Sequence, residues 1–315
     1  MTTSKKTLLT CGPLIIDVMA QTGAPGNEHL GELIDYFRSE HDITLAPNGK
    51  HTTEKREVSD ACAAAFKKCR FTTGLGGSSN NAAATLKRTM GDDIDVRFIG
   101  MIGAVPLQLR GLVDENLISD ALKAAQINLI SPTNLPPDAE AAVSYVFNPP
   151  DGNRSYLTYT GNSKHVFTPD TIPNLEDEVK NSDVVMLSGS TWEKVNPALA
   201  DEIMRLRWKY GKEMILALPV YKRFAEEHSE KFKFCIPSAN LVLANETELA
   251  NIYMVDDPHE ALEQLQKDFQ KKQLEAEVRE AKWHGDWYGK WTGSQKQLGF
   301  ITFGKEGAYL VTADK

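Results

Sequence analysis

The 315-residue sequence has four cysteines, Cys11, Cys62, Cys69 and Cys235, too few and too scattered for a disulfide framework. None forms a C-x-x-C pair, so a structural zinc site is not expected either. Long apolar runs are missing. The longest, Leu14 to Ile16 continued by Val18, Met19 and Ala20, is broken by Asp17 and falls far short of the roughly 20 residues a spanning helix needs. Lys5 and Lys6 precede no apolar stretch of signal-peptide length and no small-residue cleavage site, so the chain is expected in the cytoplasm. An excess of positive charge is absent too. Forty-three acidic residues against 35 basic ones give a net charge of −8, which argues against a general nucleic-acid binder. No internal repeat or low-complexity tract is visible. A hydrophobic share of 41% with 25% charged residues describes an ordinary globular chain.

What is present is an alternation of strand-like and helix-like stretches. Leu8 to Met19, Val96 to Ile102, Ala141 to Asn148, Asp183 to Ser188, Met214 to Leu218, Asn240 to Ala244 and Phe300 to Val311 read as strands. Helical patterns occupy Ser79 to Met90, Asn116 to Ala125, Pro197 to Tyr210 and Pro258 to about Lys282. Strands spaced by helices predict an α/β fold, a doubly wound, mostly parallel sheet flanked by helices. The nearly continuous apolar run from Val184 to Leu187 suits a strand buried on both faces. Ala141 to Asn148 alternates, with Val143, Tyr145 and Phe147 opposite Ala142, Ser144 and Val146, and predicts a strand with one half-exposed face in a separate small sheet or lid. Residues 21 to 73 are too long for a βα loop and must hold structure of their own. Residues 251 to 298 combine a long helix, with Leu262, Leu265 and Phe269 on one face, and a tryptophan-rich piece containing Trp283, Trp287, Tyr288 and Trp291, read as a surface excursion.

Four local patterns carry chemistry. Gly74-Leu-Gly76-Gly77-Ser-Ser-Asn80-Asn81 runs straight into a helix, where glycines permit close approach and free N–H groups favour anionic or polar oxygens. No Lys-Ser/Thr follows at Walker A spacing. Asp17 interrupts an apolar strand, and a carboxylate there costs free energy unless it is partnered. It can bond loop amides, or, at the carboxyl end of a sheet strand, accept hydrogen bonds from vicinal sugar hydroxyls. Asn245 and Glu248 follow a strand with capping-box spacing, and the same helix start can order Mg²⁺ through water beside a phosphate. Thr302-Phe-Gly304-Lys-Glu-Gly307 reads as a strand, a turn and a second strand.

In this order the patterns resemble the ribokinase family, the PfkB-type kinases of sugars and nucleosides. Further carriers are Phe98-Ile-Gly100-Met-Ile-Gly103, Asp151-Gly152-Asn153-Arg154 and Thr160-Gly161-Asn162. The stretch from Asp151 to Asn162, Leu216-Ala-Leu-Pro219 and Ala244 to Glu248 look most like the adenosine-kinase and sugar-kinase branch. The resemblance implies one kinase domain over residues 1–315, with a lid from parts of 18–75 and 140–165. Phosphorylation of a hydroxymethyl group on an adenosine-like nucleoside or a sugar is implied, with ATP and Mg²⁺ as cofactors. Asp17, Gly76, Gly77 and Asn81 would hold the acceptor. Asn245, Glu248, Thr302, Gly304 and Gly307 would border nucleotide and phosphate, with Glu248 acting on the metal through water. The implied partners are a small molecule rather than a membrane or nucleic acid, and the chain would be a monomer or a homodimer through the lid.

Two departures qualify this. Residues 104–113 replace an acidic turn expected after Gly103. The family's Gly-Ala-Gly-Asp segment, which supplies the general base, is not found, so no catalytic base is assigned. The expectation is a ribokinase-like chain incomplete at its C-terminus, inactive by itself and poorly soluble. The alternative is a catalytically inactive sugar- or nucleoside-binding relative, or an interaction protein.

Overall fold

The computed structural model describes residues 5–24, 27–45, 49–150, 152, 154–161, 166–218, 222–282 and 297–313. Asp151, Asn153, Asn162, Pro219 and the tryptophan-rich piece with Trp283, Trp287, Tyr288 and Trp291 lie outside the described residues. The strands are β1 (Lys6–Cys11), β2 (Ile15–Gln21), β3 (Lys50–Thr53), β4 (Phe71–Gly76), β5 (Ile94–Ile99), β6 (Asn128–Ile130), β7 (Ala142–Asn148), β8 (Ser155–Tyr159), β9 (Val184–Ser188), β10 (Glu213–Ala217), β11 (Leu241–Asn245), β12 (Leu298–Thr302) and β13 (Ala308–Thr312). Eight of them form one sheet in the order β13-β12-β11-β10-β9-β1-β5-β6. Every pairing in it is parallel except that of β13 with β12. The other five form a smaller sheet in the order β3-β8-β7-β2-β4.

The large sheet is buried on both faces, as its apolar strands require. In β9, Val185 and Leu187 join one hydrophobic cluster while Met186 joins the other. The first cluster takes in Leu199, Ile203 and Leu206 of the helix Pro197–Tyr210, and Leu265 and Phe269 of the helix Pro258–Lys282. The second runs from Leu8, Val96 and Phe98 into the small sheet, where Val18, Tyr145 and Phe147 meet Phe37 and Phe66. No described helix is long and apolar enough to cross a membrane.

Two sequence expectations are corrected. The single strand from Leu8 to Met19 is two strands in different sheets. Gly12-Pro13 ends β1, since proline carries no N–H for a continuing ladder and fixes φ. Asp17 therefore lies mid-strand in the small sheet and not at the carboxyl end of a central strand. The strand Ala142–Asn148 has no half-exposed face, being buried along all but its last residue. The helices His29–His41 and Arg56–Phe66, folded from the long 21–73 segment, cover one side of it with Phe37, Val58 and Phe66. The strand, turn and second strand read around Thr302 to Gly307 are present, as an antiparallel pair split by a 3-10 turn at Gly304–Glu306.

The chain passes between the two sheets at residues 12–14, 77, 139–141 and 160–161, and these crossings brace one another. Ala104 N–H donates to Ala139 O at 2.8 Å and Ala141 N–H to Ala104 O at 2.9 Å. The segment 104–113 is thus a strut to the crossing, with Leu109 fully buried.

Candidate functional site

The first half of the site is built around Asp17. In register, Asp17 stands between Gly74 of β4 and Ser144 of β7. Ser144 pairs with Thr158 of β8, and Thr158 with Thr52 of β3, so a row of polar residues crosses the sheet from Asp17. Ser144 and Thr158 hydroxyls are 3.1 Å apart. The carboxylate is half-buried, and burial pushes its pKa up to about 6, with the Lys194 ammonium pulling the other way.

Gly76 and Gly77 define the wall beside that carboxylate. A Cβ at Gly76 would lie 2.3 Å from Asp17 Oδ2, and one at Gly77 would lie 2.3 Å from Pro13 O. Gly77 also holds φ +101, a value that side chains disfavour. The helix Ser78–Met90 starts there, and Asn81 N–H donates to Gly77 O at 2.9 Å. The Asn81 side chain is exposed, whereas Asn80 is buried and its Oδ1 has no hydrogen-bond partner among the described residues. A hydroxyl cluster that sequence reading does not anticipate pins this helix start to the large sheet. Ser79 and Ser188 Oγ atoms are 2.8 Å apart, Ser78 and Ser190 Oγ atoms 3.1 Å, and Thr191 Oγ1 donates to Cys11 O at 2.7 Å.

The second half lies at the carboxyl end of β11. Asn245 caps the helix Glu246–Tyr253. Its Oδ1 accepts from Glu248 N–H at 2.8 Å, and its own N–H donates to Glu248 Oε2 at 2.9 Å. Burial raises the Glu248 pKa, against the Asn245 N–H and the Lys50 charge, which lower it. Asn245 pairs in register with Thr302, which is exposed. Gly304 and Gly307 both have positive φ, and Phe303 N–H closes the turn on Gly307 O at 2.7 Å. A Cβ on Gly304 would stand 3.6 Å from Glu246 Oε1, so this turn borders the start of that helix.

The structure thus gathers the sequence candidates into two groups, Asp17 with Gly76, Gly77 and Asn81, and Asn245 with Glu248, Thr302, Gly304 and Gly307. Lys50 of β3 and Lys194 bridge them electrostatically. Lys50 acts on both Glu248 and Lys194, and Lys194 acts on Asp17. Neither lysine belongs to a spacing pattern, so only the tertiary arrangement reveals them. Among the described residues no group of three or more His, Cys, Asp or Glu side chains could hold a metal ion directly. One half-buried carboxylate beside a helix N-terminus suits a hydrated Mg²⁺ shared with phosphate oxygens.

A profile of the pfkB family carbohydrate kinases matches residues 55–275. Among curated protein sequences none matches the chain. In fold, the chain is similar to the adenosine kinase from Sinorhizobium meliloti, at 20% identity and a TM-score of 0.69 over 99% of this chain and 79% of that one. It is similar to a probable sugar kinase from Rhizobium etli CFN 42, at 19% identity and a TM-score of 0.68 over 99% and 78% of the two chains. The adenosine kinase from Schistosoma mansoni in complex with adenosine, in an occluded loop conformation, aligns at 15% identity with a TM-score of 0.70 over 98% and 78%.

Proposed function

The chain belongs to the pfkB family of carbohydrate kinases, and from that premise we propose that it transfers the terminal phosphoryl group of ATP to a hydroxymethyl group on a sugar or an adenosine-like nucleoside, with Mg²⁺. The observation that carries the proposal is the half-buried Asp17 carboxylate set against Gly76 at the start of the helix Ser78–Met90. Asp17 accepts hydrogen bonds from neighbouring acceptor hydroxyls, and Gly76 and Gly77 let the acceptor lie close to backbone. Asn81 adds a side-chain amide at the mouth of the cleft. Asn245 and Glu248 hold water and phosphate at the helix start. Thr302, Gly304 and Gly307 border the nucleotide on the neighbouring strand. Mg²⁺ supplies charge neutralisation of the phosphate oxygens. The small sheet serves as the lid that excludes water while the groups are positioned. These roles are binding and positioning; the general base is not assigned to any of them.

A ligand that binds the native state raises its stability by RT ln(1 + [L]/Kd), so a thermal-shift comparison tests the acceptor site without turnover. Adenosine, D-ribose or D-fructose at millimolar concentration should raise the melting temperature of the wild-type protein and leave Asp17→Asn unmoved. A shift of equal size in both proteins would place the acceptor elsewhere.

A further inference from the structure

In the large sheet β1 has β5 on one side and β9 on the other, and the chain fills the sheet outward from there, through β5 and β6 one way and through β9, β10, β11 and β12 the other. The crevice at the carboxyl ends of β1 and β9 is therefore the point where the strand order reverses, the place where open α/β sheets bind ligands. Five hydroxyls gather there. Ser188 ends β9, Ser190 and Thr191 follow it, and Ser78 and Ser79 open the helix Ser78–Met90. Ser188 Oγ lies 2.8 Å from Ser79 Oγ and 2.6 Å from Ser190 Oγ, and Ser190 Oγ lies 3.1 Å from Ser78 Oγ. Thr191 Oγ1 donates to the carbonyl of Cys11, the last residue of β1.

Each hydroxyl has one hydrogen to donate. Ser79 is 1% exposed, and among the described residues its Oγ has no hydrogen-bond partner but Ser188 Oγ, so its hydrogen points there. The hydrogen of Ser188 then points to Ser190, and that of Ser190 to Ser78 at the exposed end. A joint that only held the fold together would need no such chain, since apolar groups of the same shape serve stability about as well. Hydrogen bonds add a fixed distance and direction. This chain fixes Ser79, two residues past Gly77, in the turn that stands against the Asp17 carboxylate through Gly76.

We propose that Ser188 is a positioning residue for the acceptor. Through Ser79 it sets where the helix start, and with it the Gly76–Gly77 wall, stands relative to the large sheet and so to the nucleotide half of the cleft. Gly12, just past β1, permits the close approach, because a Cβ there would lie 2.6 Å from Ser79 Oγ. The inference rests on reading Asp17, Gly76 and Gly77 as the acceptor site.

The helix start can be followed without any ligand by amide hydrogen exchange, since Asn81 N–H bonds Gly77 O. Ser188→Ala leaves the Ser79 hydrogen without an acceptor and should speed exchange over residues 78–83 about 10-fold, the weight of one buried hydrogen bond, while the helix Glu246–Tyr253 exchanges as in the wild type. In calorimetry, whichever of adenosine, D-ribose and D-fructose the wild type binds should be held about 10-fold more weakly, and ATP as before. Thr191→Val cuts the same cluster at its bond to Cys11 O and not at the helix, so it should leave exchange over 78–83 unchanged, a split that a purely structural cluster would not give. Should Ser188→Ala fail to fold, the double variant Ser79→Ala with Ser188→Ala makes the same comparison and leaves no such hydrogen behind. A folded variant with wild-type exchange, faster exchange with wild-type acceptor affinity, or equal acceleration in Thr191→Val overturns the proposal. Faster exchange in a protein whose wild type binds none of the three probes supports the coupling and counts against the acceptor reading alone.

Discussion

At Gly76 of β4 any side chain would meet the Asp17 carboxylate, because a Cβ there would come within 2.3 Å of Oδ2 and 2.5 Å of Oδ1. The atoms in the way belong to the far end of a side chain and not to backbone, so the fold can accommodate Gly76→Ala by rotating the carboxylate aside. The rotation removes it from the acceptor. Gly76→Ala should therefore cost less than about 2 kcal/mol of stability, in the range of ordinary overpacking. Acceptor binding should weaken by about 2 to 4 kcal/mol, because ligand hydroxyls lose a buried partner. Calorimetry beside thermal melting checks both halves. Unchanged affinity in a well-folded variant would remove Asp17 from the acceptor site.

Asp17 should also trade stability for function. Burial raises its folded-state pKa to about 6 from the ordinary 3.8, so between these pH values the native state holds the proton more tightly than the unfolded chain does. Stability from this group is fully present below about pH 4, falls as pH rises towards 6 and is gone above it. At 1.36 kcal/mol for each pKa unit, Asp17→Asn should stabilise the empty protein at pH 8 by up to about 3 kcal/mol, and by little at pH 4. Acceptor affinity in the wild type should run the other way and decline as pH drops through 6, since protonation removes the negative charge that hydroxyl donors bond to. Melting curves and calorimetry across this range test the pair of trends.

Much of this arrangement was legible in the residues, and what was not has identifiable causes. The helices Pro197–Tyr210 and Pro258–Lys282 carry strong periodic and capping signals and begin at their proline. Asn245 and Glu248 declare a capping box by spacing alone, because the motif is local. The apolar run around Asp17 hides its handover from one sheet to the other, since hydrophobicity reports burial and not which sheet does the burying. The expectation of a half-exposed face for Ala142–Asn148 failed because alternation does not report coverage: the helices His29–His41 and Arg56–Phe66 pack on the side of Val143, Tyr145 and Phe147, and Ala142, Ser144 and Val146 on the other side are buried as well. Thr52 and Glu193 meet only through strand register and a turn after β9, and nothing in a one-dimensional pattern brings residue 193 to residue 52.

Arg207 offers a test of the energetics away from the site. It is 1% exposed, at the end of the helix Pro197–Tyr210, with Nη2 donating to Ser238 O at 2.9 Å and to Asn240 Oδ1 at 3.3 Å. Its Nε and Nη1 have no hydrogen-bond partner among the described residues, and burial lowers its pKa to about 10. Breaking a well-paired buried ion usually costs about 3 to 5 kcal/mol, whereas replacing a poorly satisfied one by an apolar residue of similar volume is neutral or favourable. Asn240 Oδ1 keeps the Met214 N–H at 2.7 Å when the arginine is gone. Arg207→Met should therefore lose no more than about 1 kcal/mol in denaturant titrations, and a loss of 3 kcal/mol or more would mean that the guanidinium is fully satisfied.

Glu248 separates a metal-organising role from a purely structural one, because its two duties depend on different properties of the side chain. As the third residue of the capping box it needs only an acceptor oxygen for the Asn245 N–H, which a glutamine supplies equally well. The reciprocal bond, from Glu248 N–H to Asn245 Oδ1, uses backbone and is untouched by the change. As an organiser of hydrated Mg²⁺ it needs negative charge, which glutamine lacks. Glu248→Gln should consequently melt within a degree or two of the wild type. It should require about 10-fold more Mg²⁺ for half-maximal ATP binding, the lower end of the effect of removing an outer carboxylate from a metal site. Asn245→Ala should behave oppositely in stability, losing about 1 kcal/mol with the N-cap. ATP calorimetry at stepped Mg²⁺ concentrations, with melting curves for both variants, distinguishes the roles. A Glu248→Gln protein with unchanged Mg²⁺ dependence and a lowered melting temperature would reduce the residue to a helix cap.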